Sequence, residues 1–297
     1  MTNEPLAAQS DIRQLARGAI NAAGVGEVLP VPVSEIAQAV GLHAENLFEL
    51  GGDVPPGIAA VIKKLRGKVL GLLSIPERRY HIDRTMPVER QRFTEAHEIG
   101  HDALPWHRGA YFGDDSSTLS PETRVELEVE ANAFASELLF GAGKFNQEAD
   151  QWAPALDVPL ALAPTYQTSV HATLRGYVEW SDRPLALIGV GRIWGAGGLT
   201  VFPNQTMESA SFLHRYGPIL PMLPKIVGPQ VYPLITRFAV THPGQIEESE
   251  VVLDTKRGRV KFVAEGFGNG YMNFILVYRR SRLDGQRLHL VDPALLL

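Results

Sequence analysis

Apolar residues recur at helical spacing near the start of the chain. Ile12, Leu15, Ala16, Ala19 and Ile20 share one face, and Gly24 is placed to end that helix. A short second helix is expected beyond the Pro30–Pro32 break. Ser34 would be its N-cap, Ile36, Ala39 and Val40 its buried stripe, and Gly41 its stop. Two β-like runs follow, Ile58–Ile62 and Lys68–Leu73, with Lys63–Gly67 as a hairpin connection. The spacing then predicts a helix from Pro87 to about Leu104 and another over Glu122–Leu139. In the latter, Leu127, Ala131, Phe134, Ala135 and Leu138 form the apolar stripe, with Pro121 ahead and Gly141 and Gly143 behind. Pro154, Pro159 and Pro164 mark a change of composition and a domain boundary. A modest helix over Val170–Val178 comes next.

From Pro184 onward the pattern turns to short β-like runs: Leu185–Val190, Leu199–Phe202, Glu250–Leu253, Val260–Ala264 and Asn273–Tyr278. Gly195–Gly198 and Gly266–Gly270 punctuate them. The fold class expected is α+β. A mainly helical, zinc-peptidase-like N-terminal domain with a small sheet spans 1–150. A helical connector spans 151–183, and a β-rich C-terminal domain with a sensory or docking role spans 184–297.

Composition narrows the chemistry. The 297 residues are 45% hydrophobic and 21% charged, as in a globular protein. A net charge of −5 with mixed signs leaves no electrostatic footprint for nucleic acid. There is no cysteine, which removes disulfides, thiolate catalysis and thiolate metal sites. Met1–Ala8 lacks the pattern of a signal peptide and no apolar run reaches membrane-spanning length, so a cytoplasmic protein without membrane partners is expected.

The chemistry concentrates in "RFTEAHEIGHDALPWH", residues 92–107. Phe93, Ala96, His97, Gly100, His101 and Leu104 lie on one helical face, so His97 and His101 point the same way, close enough to share a metal ion. Glu98 projects about 100° further round, where a general base for a metal-activated water belongs. A His-Glu-x-x-His string alone also occurs in ordinary core helices. Two imidazoles on an apolar face are poorly justified without a metal or dedicated partners.

Two residues compete for the third ligand position. His107 follows His97 by the spacing at which a glycine turn returns a histidine to the metal, but Leu104 stands where that glycine would be. Glu128 shares a face with Ala131, Ala135 and Leu138, and a carboxylate on a packed face needs a charge or a metal. Glu128 is favoured, with His107 placed behind the ligands or on the surface. Glu126, Glu130 and Glu137 are assigned to a solvated surface.

"ERQRFTEAHEIGHDALPWH" followed by "EVEANAFASELLF", with "VPVSEIAQAVGL" upstream, resembles the ImmA/IrrE family of metallopeptidases over roughly residues 10–180. The resemblance implies metal ligands at His97, His101 and Glu128, a catalytic acid/base at Glu98, and Zn2+ as cofactor with Mn2+ as an alternative. It also implies site-specific cleavage of a helix-turn-helix repressor, relieving repression of stress-response or mobile-element genes. The chain departs from the family at Leu139-Phe140-Gly141, where Leu-Met-Pro is common, and at Glu95 and Asp102, which replace commonly apolar residues.

Other features read as structure. "LALAPTYQTSVHATLRGYVE" is a poor helix-turn-helix, since Pro164 interrupts its first helix and Arg175 is its only Lys or Arg. "GVGRIWGAGG" lacks a phosphate-binding spacing. The basic clusters around Lys256–Lys261 and Arg279–Arg282 suit a charged sheet edge. Two alternatives accompany the peptidase reading: a regulatory protein that docks a repressor or DNA without cutting, and a metal hydrolase acting on something other than peptides.

Overall fold

The computed structural model describes residues 8–46, 71–74, 77–108, 120–192, 199–201, 206–218, 226–227, 238, 244–281 and 286–288. The chain divides into two compact units, residues 4–144 with 165–168, and residues 145–164 with 169–297. Among the described residues the first is mainly helical with a small sheet, and the second carries helices followed by a larger sheet, an α+β chain.

In the first unit, α1 (Gln9–Ala22) buries Ile12, Ala16, Ala19 and Ile20, and Gly24 follows it at φ 70°. Helix α2 (Val33–Ala39) begins two residues earlier than Ser34 as N-cap would require. Pro32 occupies the N-cap position and Ser34 makes no capping bond. The buried stripe is therefore Val33, Ile36 and Ala37, while Ala39 is exposed. A proline at that point already presets the φ the entry needs.

Strands β1 (His43–Asn46), β2 (Gly71–Ser74) and β3 (Arg79–Ile82) form a three-stranded sheet in the order β1-β3-β2, with β1 parallel and β2 antiparallel to β3. The expected run Ile58–Ile62 and its connection lie outside the described residues. Gly71–Leu73 of the second run does lie in β2.

Helices α3 (Val88–Ala103) and α4 (Pro121–Leu139) pack against each other. Pro87 stands at the N-cap position of α3 without a side-chain capping bond, and Leu104 ends the helix in an extended conformation ahead of Pro105. Ser120 caps α4 by accepting from the Thr123 N–H at 3.2 Å. The stripe Leu127, Ala131, Phe134, Ala135 and Leu138 is buried. Gly100 is what permits the close approach, because a Cβ there would stand 3.1 Å from Phe134 Cδ1 and 3.3 Å from the Ala131 carbonyl oxygen.

In the second unit, α5 (Lys144–Ala149), α6 (Asp157–Tyr166) and α7 (Val170–Glu179) precede the sheet. Pro164 does not interrupt α6 as expected; it sits in the last turn, near the end that Tyr166 marks. Strands β4 (Leu185–Arg192), β5 (Leu199–Val201), β6 (Met207–Glu208), β7 (Ile226–Val227), β8 (Ile246–Thr255), β9 (Gly258–Gly268) and β10 (Asn273–Tyr278) form the larger sheet, with α8 (Ala210–Tyr216) between β6 and β7. The strand order is β7-β5-β4-β10-β9-β8, with β6 paired to β4 and all pairings antiparallel. Phe212, Tyr216, Phe238 and Phe262 pack with Ile188, Ile275 and Val277 in its core. Gly266 punctuates nothing: it lies inside β9, and a Cβ there would come within 2.3 Å of the Phe238 ring.

Candidate metal centre

The site grows out of the α3–α4 packing. His97 and His101 stand one turn apart on α3, and Glu128 faces them from α4. His97 Nε2 is 3.1 Å from His101 Nε2 and 3.3 Å from Glu128 Oε2, and His101 Nε2 is 3.5 Å from Glu128 Oε1. One ligand atom from each of the three lies within 4.8 Å of the others, so the group could hold a metal ion.

The proton positions follow from the outer partners. His97 Nδ1 is 3.0 Å from Asn132 Oδ1, an acceptor, so the ring's proton belongs on Nδ1 and its Nε2 lone pair faces the centre. Two imidazole nitrogens and a carboxylate aimed at one point repel one another unless a cation or a proton lies among them. The donor set of two imidazoles and a carboxylate matches zinc coordination. The residues present therefore fit a divalent cation.

Electrostatics agree. Where a proton takes the place of a cation on the rings, hydrogen bonding from His101, then from His97, holds the Glu128 carboxyl well below the usual carboxylate range. Burial opposes the charged form of His97, but its hydrogen bond to Glu128 and the charges of Glu98 and Glu128 outweigh that and raise its pKa. Glu98 is 6% exposed, and burial pushes its carboxyl up to about 7; the charge of His97 offsets part of this and that of Glu128 adds to it.

Glu128 differs from the packed residue the sequence suggested. Its side chain is 55% exposed and lies at the edge of the helix contact. The reverse holds for two glutamates assigned to the surface. Glu130 is 7% exposed and accepts from Trp106 Nε1 at 2.7 Å and His107 Nε2 at 2.9 Å. Glu137 is buried against Arg13, 2.8 Å away on α1. Both are satisfied by partners from other segments, which removes the cost of burying a charge. Glu126 is exposed.

His107 is fully buried and lies outside the three-residue group; its Nδ1 is 3.0 Å from His101 Nδ1. The two acids that depart from the family pattern are buried and paired with β3 or the residue before it. Tyr80 donates to Glu95, and Arg78 pairs with Asp102. Asn132, Trp106 and Glu130 were not singled out as site residues. The Glu-Ala-Asn string offered the one signal for Asn132, standing one turn beyond Glu128.

Residues 58–175 match the family model of the IrrE N-terminal-like domain, Peptidase_M78. Over those residues the chain is similar to that domain. His97, His101 and Glu128 all fall within that domain. No curated protein matches the chain. Among solved structures, a Mycobacterium tuberculosis transcriptional regulator shares the fold with 13% identity and a TM-score of 0.53, covering 90% of this chain and 86% of that one. At that identity the likeness speaks to fold alone. The matched family is named as a peptidase family, which suits a metallopeptidase-like fold over residues 58–175. No helix among the described residues is long and apolar enough to cross a membrane.

Proposed function

We propose that the protein is a metal-dependent, site-specific endopeptidase that cleaves a helix-turn-helix repressor and so derepresses stress-response or mobile-element genes in the cytoplasm. The convergence of His97, His101 and Glu128 within 4.8 Å carries this reading. The peptidase family of residues 58–175 supports it, and the transcriptional-regulator neighbour suits a regulatory partner.

In this reading His97, His101 and Glu128 hold Zn2+, or Mn2+ in its place. The cation would supply Lewis acidity to a water and to the carbonyl of the scissile bond. Glu98 takes the proton from the attacking water and hands it to the leaving amine. A carboxyl pushed up to about 7 is half ionised near neutrality, which suits a group that must both accept and return a proton. Asn132 holds the His97 ring in the tautomer that leaves Nε2 free. Residues 1–150 serve as the peptidase domain, 151–183 as the connector, and 184–297 as the docking or sensory part, with no role for nucleic acid.

The test incubates the purified protein with Zn2+ or Mn2+ and a candidate repressor. One discrete cut is expected, lost in Glu98→Gln while metal remains bound. Cleavage unchanged in Glu98→Gln would refute the role given to Glu98.

A further inference from the structure

His107 and Glu130 have no place in the three-residue group, yet both are buried beside it and joined to it. With both rings neutral, their hydrogen bonds admit one consistent direction. Glu130 Oε2 is an acceptor, so the His107 nitrogen 2.9 Å away must carry the proton, and that nitrogen is Nε2. A neutral His107 then has a bare Nδ1. The His101 Nδ1 that lies 3.0 Å from it must therefore be the donor. His101 Nε2 is left without a proton, and it is this atom that faces His97 and Glu128.

Trp106 Nε1 donates to the same oxygen of Glu130 and steadies the carboxylate. A metal-ligating histidine ordinarily passes its second N–H straight to a carboxylate or carbonyl. In this chain the carboxylate is one imidazole removed.

We propose that His107 is a positioning residue: it relays the pull of buried Glu130 to His101, fixing the tautomer and ring orientation in which His101 Nε2 is a ligand. This rests on the reading of His97, His101 and Glu128 as the metal ligands. Asn132 does the same for His97, so both ligand tautomers are set from α4, one directly and one through His107.

Two measurements test it. Zn2+ affinity is measured by chelator competition for the unmutated protein, His107→Leu and His107→Gln, with the melting temperature of each metal-free form as the control for folding. His107→Leu removes both nitrogens and is expected to weaken Zn2+ binding about 10–100-fold. His107→Gln can still accept from His101 and donate to Glu130, and is expected to recover most of that loss. Nitrogen-15 NMR of histidine-labelled, zinc-loaded unmutated protein should show His107 protonated on Nε2 with a bare Nδ1. If the unmutated protein holds no Zn2+, the ligand reading falls and the relay with it. If it holds Zn2+ but His107→Leu holds it equally well, or His107 carries its proton on Nδ1, the relay alone falls.

Discussion

Burial opposes the ionisation of Glu98. Its carboxyl, ordinarily near 4.5, sits at about 7 because burial disfavours the charge. A folded-state pKa above the unfolded one favours the native state while the group is protonated. That contribution is whole below about pH 4.5 and is lost as the pH rises through about 7. A metal-free Glu98→Gln variant has no such loss. Urea unfolding at pH 5 and pH 8 should show the unmutated protein losing about 3 kcal/mol relative to the variant between the two. Curves that keep a constant separation would contradict it. At this scale the histidines were legible in the chain, because spacing alone puts His97 and His101 on one face. Glu130 and Glu137 were not legible. A carboxylate looks like surface until its partner is known, and Trp106, His107 and Arg13 lie on other segments that only folding brings near.

At the scale of elements, the α3–α4 contact decides the site, and two glycines separate its demands from ordinary helix propensity. Gly18, exposed on α1, has open space where a Cβ would go, so Gly18→Ala should stabilise by about 0.5–1 kcal/mol. Gly100→Ala meets Phe134 Cβ at 3.2 Å and a backbone oxygen at 3.3 Å, and neither can move freely in a filled core. We expect overpacking to win, with a net loss of about 1–2 kcal/mol and a weaker metal site. Chemical denaturation of both variants checks the opposite signs; a stabilised Gly100→Ala would mean the helices can part at little cost. Long helices such as α3 and α4 were legible because their stripes repeat over several turns. The short elements β6, β7 and α8 carry too few residues to show a period, and Ser34 misled because Pro32, two residues ahead of it, had already taken the entry position.

For the molecule as a whole, a cation bound only by the folded chain adds to its stability. Zn2+ at a hundred times its Kd should contribute about 2.7 kcal/mol, and a chelator should remove it. Calorimetry with and without metal reads this directly, and Glu128→Ala should lose most of the shift. If Glu128→Ala keeps it while His107→Ala loses it, the third ligand is His107. The α+β order of the chain was legible because the hydrophobic period changes from helical to alternating beyond Pro184. The sheet order was not, since β10 runs between β4 and β9, and no local pattern specifies which distant strand becomes a neighbour.

Glu128 and Glu130 stand about 200° apart around α4, at about 100° per residue, flanking the stripe that meets α3. The first reaches the Nε2 edge of His101 directly, and the second reaches its Nδ1 edge by way of His107. One helix thus grips a single imidazole from both sides, like a key held between thumb and finger. Any roll of α4 that pushes one acid inward draws the other away, so the ring is steadied by opposition, and a change anywhere that twists α4 would be felt at its lone pair.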